Sequence, residues 1–143
     1  MEVQTSRFGE LNVMEKELYT FPKGIPGFED QTSFIIVAPE EDRPFAFLQS
    51  AANPELVFVI ADPFLFYPDY DFEIPEPVLT ELNIESSDQV LVRSIINTSN
   101  GLEAATINLV APILFNAEAQ LGKQVVFGKS PYTTKQPLFV AAD

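Results

Sequence analysis

Gln89-Val-Leu-Val-Arg-Ser-Ile-Ile-Asn97, Thr98-Ser-Asn-Gly101, Leu102-Glu-Ala-Ala-Thr-Ile-Asn-Leu109 is the stretch that decides the fold. Two longer runs flank a polar tetrapeptide, and its Asn100-Gly101 step is a strong hairpin signal. Strands are expected over Gln89–Asn97 and Leu102–Leu109. Working outward, Ser33–Ala38 and Phe45–Gln49 are further short strands, separated by the polar turn Pro39-Glu40-Glu41-Asp42. Asn53-Pro54 marks the next turn. Leu56–Ala61 is apolar on both faces, which suits a strand buried on both sides. Val3–Phe8 and Leu11–Val13 flank Gly9 as an N-terminal hairpin, and Gln124–Phe127 is a last short strand.

One segment has helical spacing. In Glu76-Pro-Val-Leu-Thr-Glu-Leu82, Val78, Leu79 and Leu82 form one apolar stripe. Pro77 fits the first turn, and Glu76 lies at the positive end of the helix dipole. Twelve prolines fall mostly at strand ends. The expected fold is mostly β: a small closed or partly open antiparallel β-barrel with one short helix, as a single domain over residues 1–143. A chain of 143 residues can bury roughly 68–70% of the surface its unfolded form exposes. It needs no metal or disulfide to fold.

Composition narrows the function. The chain has no histidine and no cysteine. No Ser-His or Cys-His nucleophile, no His/Cys zinc site and no imidazole base can be built from it. No catalytic residue, cofactor or metal is assigned. Twenty-one acids against eight bases give a formal charge of -13. Such a surface repels nucleic acid and anionic membranes and complements a basic protein. It also keeps a protein soluble with no further role. The N-terminus lacks the basic start and apolar run of a signal peptide, and no stretch reaches the ~20 apolar residues of a membrane helix. The absence of cysteine fits the cytoplasm.

The charge is concentrated mid-chain: Pro44–Val92 holds nine acids and no base. Within it, Asp62–Glu73 (DPFLFYPDYDFE) packs five aromatics and four acids. If Asp69–Ile74 is extended, Asp69, Asp71 and Glu73 line one face and Tyr70, Phe72 and Ile74 the other. One reading is a half-buried strand with a solvated acidic face. Another is a docking strip for a basic partner, in which exposed aromatics act as anchors; on it, Phe66, Asp69, Tyr70, Asp71 and Glu73 are the partner-binding candidates. Calcium would need loop spacing and a glycine that this stretch lacks. A glycosidase pair finds no other sugar-site feature.

Two further segments stand out. Phe21-Pro-Lys-Gly-Ile-Pro-Gly-Phe-Glu29 is a tight loop, with Phe21, Ile25 and Phe28 expected to pack inward. Pro112 interrupts the apolar run Ile107–Asn116, so a strand break is expected there, leaving backbone groups open to another chain.

Together, FPKGIPGFE (21–29), PFAFLQS (44–50), Phe64–Tyr70 with its Pro-Asp-Tyr step, TINLVAPILFN (106–116) and the Ser130-Pro-Tyr132 to Pro137-Leu138 ending resemble the FliW family of flagellar assembly factors. Gln136 departs from the pattern, which has a basic residue or histidine there. The resemblance implies a cytoplasmic, non-enzymatic partner switch, monomeric when free. It would bind flagellin and, once flagellin is exported, bind the RNA-binding dimer CsrA and relieve repression of flagellin translation. The competing reading is an acidic nucleic-acid mimic that directly occupies the basic groove of an RNA- or DNA-binding protein.

Overall fold

The computed structural model describes residues 1–38, 44–127 and 130–138. Along the chain come β1 (Glu2–Thr5), β2 (Gly9–Asn12), β3 (Leu18–Thr20), β4 (Ser33–Val37), β5 (Phe45–Ser50) and β6 (Val57–Ala61). There follow α1 (Pro63–Phe66), α2 (Glu76–Glu81), β7 (Val90–Asn97), β8 (Thr106–Ile107), β9 (Ile113–Asn116), β10 (Leu121–Gln124) and β11 (Gln136–Pro137). β7-β6-β5-β4-β3-β10-β9 are paired in that order, and β9 pairs back onto β7, closing a barrel of seven strands. Closure removes the open edges that a flat sheet would expose. The pairing is antiparallel except at β3–β10, which is parallel through Leu121 and Thr20.

Alternation of side chains sorts the core. Phe34 of β4, Leu48 of β5, Ile60 of β6 and Ile113 and Phe115 of β9 fill the barrel, joined by Phe21 and Ile25. The intervening residues point outward and are covered piecemeal. Ile35 packs under the β1–β2 hairpin with Val3 and Val13. Leu114 packs under α2 with Val78 and Leu82. Ala61 and Ile96 lie under Tyr70, Leu109 and Leu138. β9 is therefore buried at all four positions, which is why its sequence is a continuous apolar run rather than an alternating one.

Several expectations are corrected. Leu102–Leu109 is not one strand: Leu102–Ala104 forms a 3-10 turn and only Thr106–Ile107 pairs with β7. Alanine and glutamate at 103–105 are poor strand formers. Past β8, the Asn108 side chain accepts from the N–H groups of Val110 (3.1 Å) and Ala111 (3.0 Å). The chain does break at Pro112, but the break is sealed. The carbonyls of Val110, Ala111 and Pro112 accept from Phe127 N, Gln124 Nε2 and Val125 N. The strand expected at Gln124–Phe127 lies earlier, at Leu121–Gln124. In β6, Ile60 and Ala61 are buried, whereas Val57–Val59 are only half-buried. Among the described residues there are two short α-helices rather than one. The turn expected at Pro39–Asp42 lies outside the described residues.

The Phe21–Glu29 loop packs as expected at Phe21 and Ile25, while Phe28 is 39% exposed and rests edge-on against Phe58. Gly24 adopts φ +65°, and a Cβ there would lie 2.6 Å from the backbone Cα of Glu29. The loop thus closes on a position that only glycine fits.

Candidate partner-binding site

Asp62–Ile74 runs over the outside of the barrel. Asp62 caps α1 by accepting from Phe64 N at 3.0 Å, and Pro63 takes the first helical turn. Both choices suit a helix start. Tyr67 and Pro68 end it. Phe66 then stacks on Phe45, with centroids 6.1 Å apart.

Tyr70 anchors the acidic stretch that follows. It is 4% exposed, and its hydroxyl donates to the Leu109 carbonyl at 2.8 Å. Its ring meets Phe64 (5.6 Å), Phe72 (5.3 Å) and, edge to face, Tyr132 (4.8 Å). Phe72 in turn lies 5.1 Å from Phe127. Burial, together with the neighbouring Tyr132 phenol, pushes the Tyr70 phenol well above the usual tyrosine range. The Tyr67 hydroxyl reaches the Pro137 carbonyl. Aromatic side chains tie the segment down from beneath and from the C-terminal side.

Asp69, Asp71 and Glu73 alternate with these anchors and are all exposed. The extended alternation is present, but no sheet partner produces it, since residues 70–75 belong to no strand. Tyr70 and Phe72 impose it by packing inward. Tyr70 is thus a support for the acids and not an exposed anchor. Phe66 is half-buried; Phe64 (39% exposed) and Leu65 (64%) are the apolar side chains that α1 presents to solvent. Among the described residues no lysine or arginine pairs with Asp69, Asp71 or Glu73. Arg93 lies 4.0 Å from Asp62, and Lys23 and Lys123 both pair with Glu81. Among the described residues no cluster of acids is close enough to hold a metal ion.

Asp71, Phe72 and Glu73 form a ridge between two depressions. On one side lies an open groove of about 670 Å³, with Ile74, Leu79, Ile84, Val90 and Val92 contributing apolar surface and Glu85 a further acid. On the other lies a smaller hollow of about 240 Å³ reaching Leu109 and Tyr132. The groove escaped sequence reasoning because its lining comes from five separated segments. The signal available was the half-satisfied alternation of Val90 and Val92 against Leu91.

Fold and site define the class as a small acidic β-barrel carrying an acidic ridge beside an apolar groove. Residues 2–138 match the model of the family described as FliW protein. The flagellar assembly factor FliW of Syntrophomonas wolfei is 40% identical over 139 residues, 97% of this chain and 89% of that protein. That of Bacillus subtilis is 37% identical over 138 residues, 96% of each. A crystal structure of the flagellar assembly factor FliW superposes with a TM-score of 0.90 at 34% identity, covering 98% of both chains. The chain belongs to the FliW family. Among the described residues no helix is long and apolar enough to cross a membrane.

Proposed function

We propose that this chain acts as a single-domain, cytoplasmic flagellar assembly factor. It binds flagellin and, when free of it, binds CsrA and relieves CsrA's repression of flagellin translation, with no chemistry of its own. The observation that carries the reading is the ridge: Asp69, Asp71 and Glu73 stand exposed with no described base paired to them. A protein that grips RNA presents lysine and arginine, and an uncompensated acidic ridge complements such a surface. Docked beside it, the ridge lowers the local potential and repels RNA without covering the RNA site. Phe66 and Tyr70 serve the ridge from beneath by holding its backbone. Family membership supports the choice of partners.

The test is a calorimetric titration of the protein with purified CsrA, repeated after saturation with flagellin. Binding that flagellin abolishes is the expected result. Absence of heat with both proteins overturns the reading. If RNA is instead displaced from CsrA in strict competition, the acidic nucleic-acid mimic is the better description.

A further inference from the structure

β3 and β10 are joined by a single parallel pair, Thr20 with Leu121. Pro22 follows, and a proline cannot donate to a ladder. Beyond the pair, Phe21 packs into the barrel core, against the face of Gly122 where a side chain would stand. A cleft of about 190 Å³ remains, with Pro22, Lys23 and Gly24 on one side and Gly122 and Lys123 on the other. Glu81 and Leu82, at the end of α2, complete its lining. The space is fixed by the fold. A Cβ at Gly24 would lie 2.6 Å from the Glu29 Cα, and one at Gly122 would lie 2.5 Å from the Phe21 ring. Leu82 is buried and apolar.

The rim of this cleft is cationic in an otherwise acidic protein. Lys123 Nζ lies 2.6 Å from Glu81 Oε2, and Lys23 Nζ lies 3.5 Å from Oε1. Two ammonium groups thus face one carboxylate, a local surplus of one positive charge in a chain of formal charge -13. An ammonium has three donors, so the Glu81 contact leaves each lysine able to take a second acceptor. Capping α2 does not call on them. The carbonyls of Val78, Leu79 and Thr80 accept from the N–H groups of Leu82, Ile84 and Asn83, and that of Leu82 accepts from Asn116 Nδ2.

From this we infer that the cleft binds a short aliphatic carboxylate, its carboxyl group sharing the Lys23 and Lys123 ammonium groups with Glu81 and its hydrocarbon resting on Leu82 and Pro22. An apolar cleft with a few convergent polar groups is the ordinary build of a small-molecule site. A bare inorganic anion would use the lysines and gain nothing from the apolar floor. An amine of the same shape would be repelled by both lysines. The cleft shares no lining residue with either depression beside the ridge, so this inference stands or falls apart from the partner-binding reading.

The probe is isovalerate, titrated into the ¹⁵N-labelled protein and followed by NMR. The amide signals of Lys23, Gly24, Leu82 and Lys123 should shift together and saturate. Acetate, which lacks the branched hydrocarbon, should bind about tenfold more weakly or worse. 3-Methylbutan-1-ol, which keeps the hydrocarbon and lacks the charge, should also lose about tenfold. Lys123→Met keeps the aliphatic stem and removes the ammonium; it should weaken isovalerate binding about tenfold. Glu81→Gln removes the competing carboxylate and should tighten binding about two- to fivefold. Thermal melts establish that both variants are folded. That opposite pair of responses is what general loosening of the fold would not produce. Absence of a saturable shift with isovalerate overturns the inference. So does equal binding of acetate or sulfate, which would reduce the site to a point of charge, and so does undiminished binding by Lys123→Met.

Discussion

The phenol of Tyr70 donates a 2.8 Å hydrogen bond to the carbonyl of Leu109, joining the acidic segment to the chain just before the Pro112 break. Because Tyr70 is buried, loss of the hydroxyl leaves a buried carbonyl without that donor. Tyr70→Phe should cost about 1–3 kcal/mol in urea unfolding, with an unchanged m-value.

The same residue sets an alkaline limit. Burial, and next to it Tyr132, raises its folded-state pKa. The neutral phenol is therefore favoured by folding. This stabilisation is fully present below the unfolded tyrosine value of ~10 and is lost as pH rises from there toward the folded value. Tyr19 is also raised, by burial, with Arg93 opposing. Stability measured from about pH 8 to about pH 12 should fall in the native protein, and more gently in Tyr70→Phe. An equal slope in both would remove Tyr70 from the account.

What the sequence revealed depended on how local each signal was. β4, β5 and β7 carry long apolar runs bounded by turn residues, and those runs survive in the structure. β3 and β11 are three and two residues long, too short for a period to show; β3 exists because its barrel neighbours β4 and β10 supply its partners, and β11 because β8, beside the barrel, supplies its own. β10 holds Gly122, a weak strand residue, because a Cβ there would lie 2.5 Å from the Phe21 ring. That contact spans most of the chain and leaves no local trace. α1 was not expected, although Asp62-Pro63 supplies its cap and first turn; the acids of the ridge were legible as a row. The burial of Tyr70 was not, since its partner lies at Leu109.

The Phe21–Glu29 loop allows a paired test. Gly24 and Gly27 both have positive φ, but a Cβ at Gly24 would meet the Glu29 and Phe28 backbone, whereas one at Gly27 would meet nothing within 4 Å. Gly27→Ala should cost about 1–2 kcal/mol from the left-handed conformation alone. Gly24→Ala carries the same strain plus a clash with backbone that cannot rotate away, so it should cost more. Thermal melts of the two variants check the order; equal losses would mean that the loop relaxes freely.

On the ridge, charge reversal is the informative change. Asp69→Lys with Asp71→Lys should weaken CsrA binding about tenfold or more at low salt. The native affinity should itself fall as ionic strength rises from about 50 mM to about 500 mM, where the Debye length is only a few ångströms, and native and variant should converge. Among the described residues the Asp69 carboxylate makes no hydrogen bond or ion pair to the fold, and it is exposed, so its reversal should leave stability nearly unchanged. Asp71 Oδ1 accepts from Phe72 N at 2.9 Å, which makes Asp69→Lys the cleaner single variant. A salt-independent affinity measured by calorimetry would remove the electrostatic argument.

The cations near the ridge's far neighbour, α2, are already engaged. Lys123 Nζ lies 2.6 Å from Glu81 Oε2 and Lys23 Nζ 3.5 Å from Oε1. The Lys123 hydrogen bond foremost, with the charges of both lysines, holds the Glu81 carboxyl below the usual range against the opposing effect of burial. A depressed folded pKa contributes stability above the unfolded carboxylate value and loses it as pH falls through the folded one. Glu81→Gln should therefore flatten the acid limb of the stability profile and change little else, because exposed pairs contribute at most about 1 kcal/mol at neutral pH. Lys123 is 23% exposed and Lys23 72%, so Lys123→Ala should reproduce more of the Glu81→Gln effect than Lys23→Ala. Acid titrations of stability for the three variants test the ranking, and a larger effect from Lys23→Ala would reverse the assignment of the dominant partner.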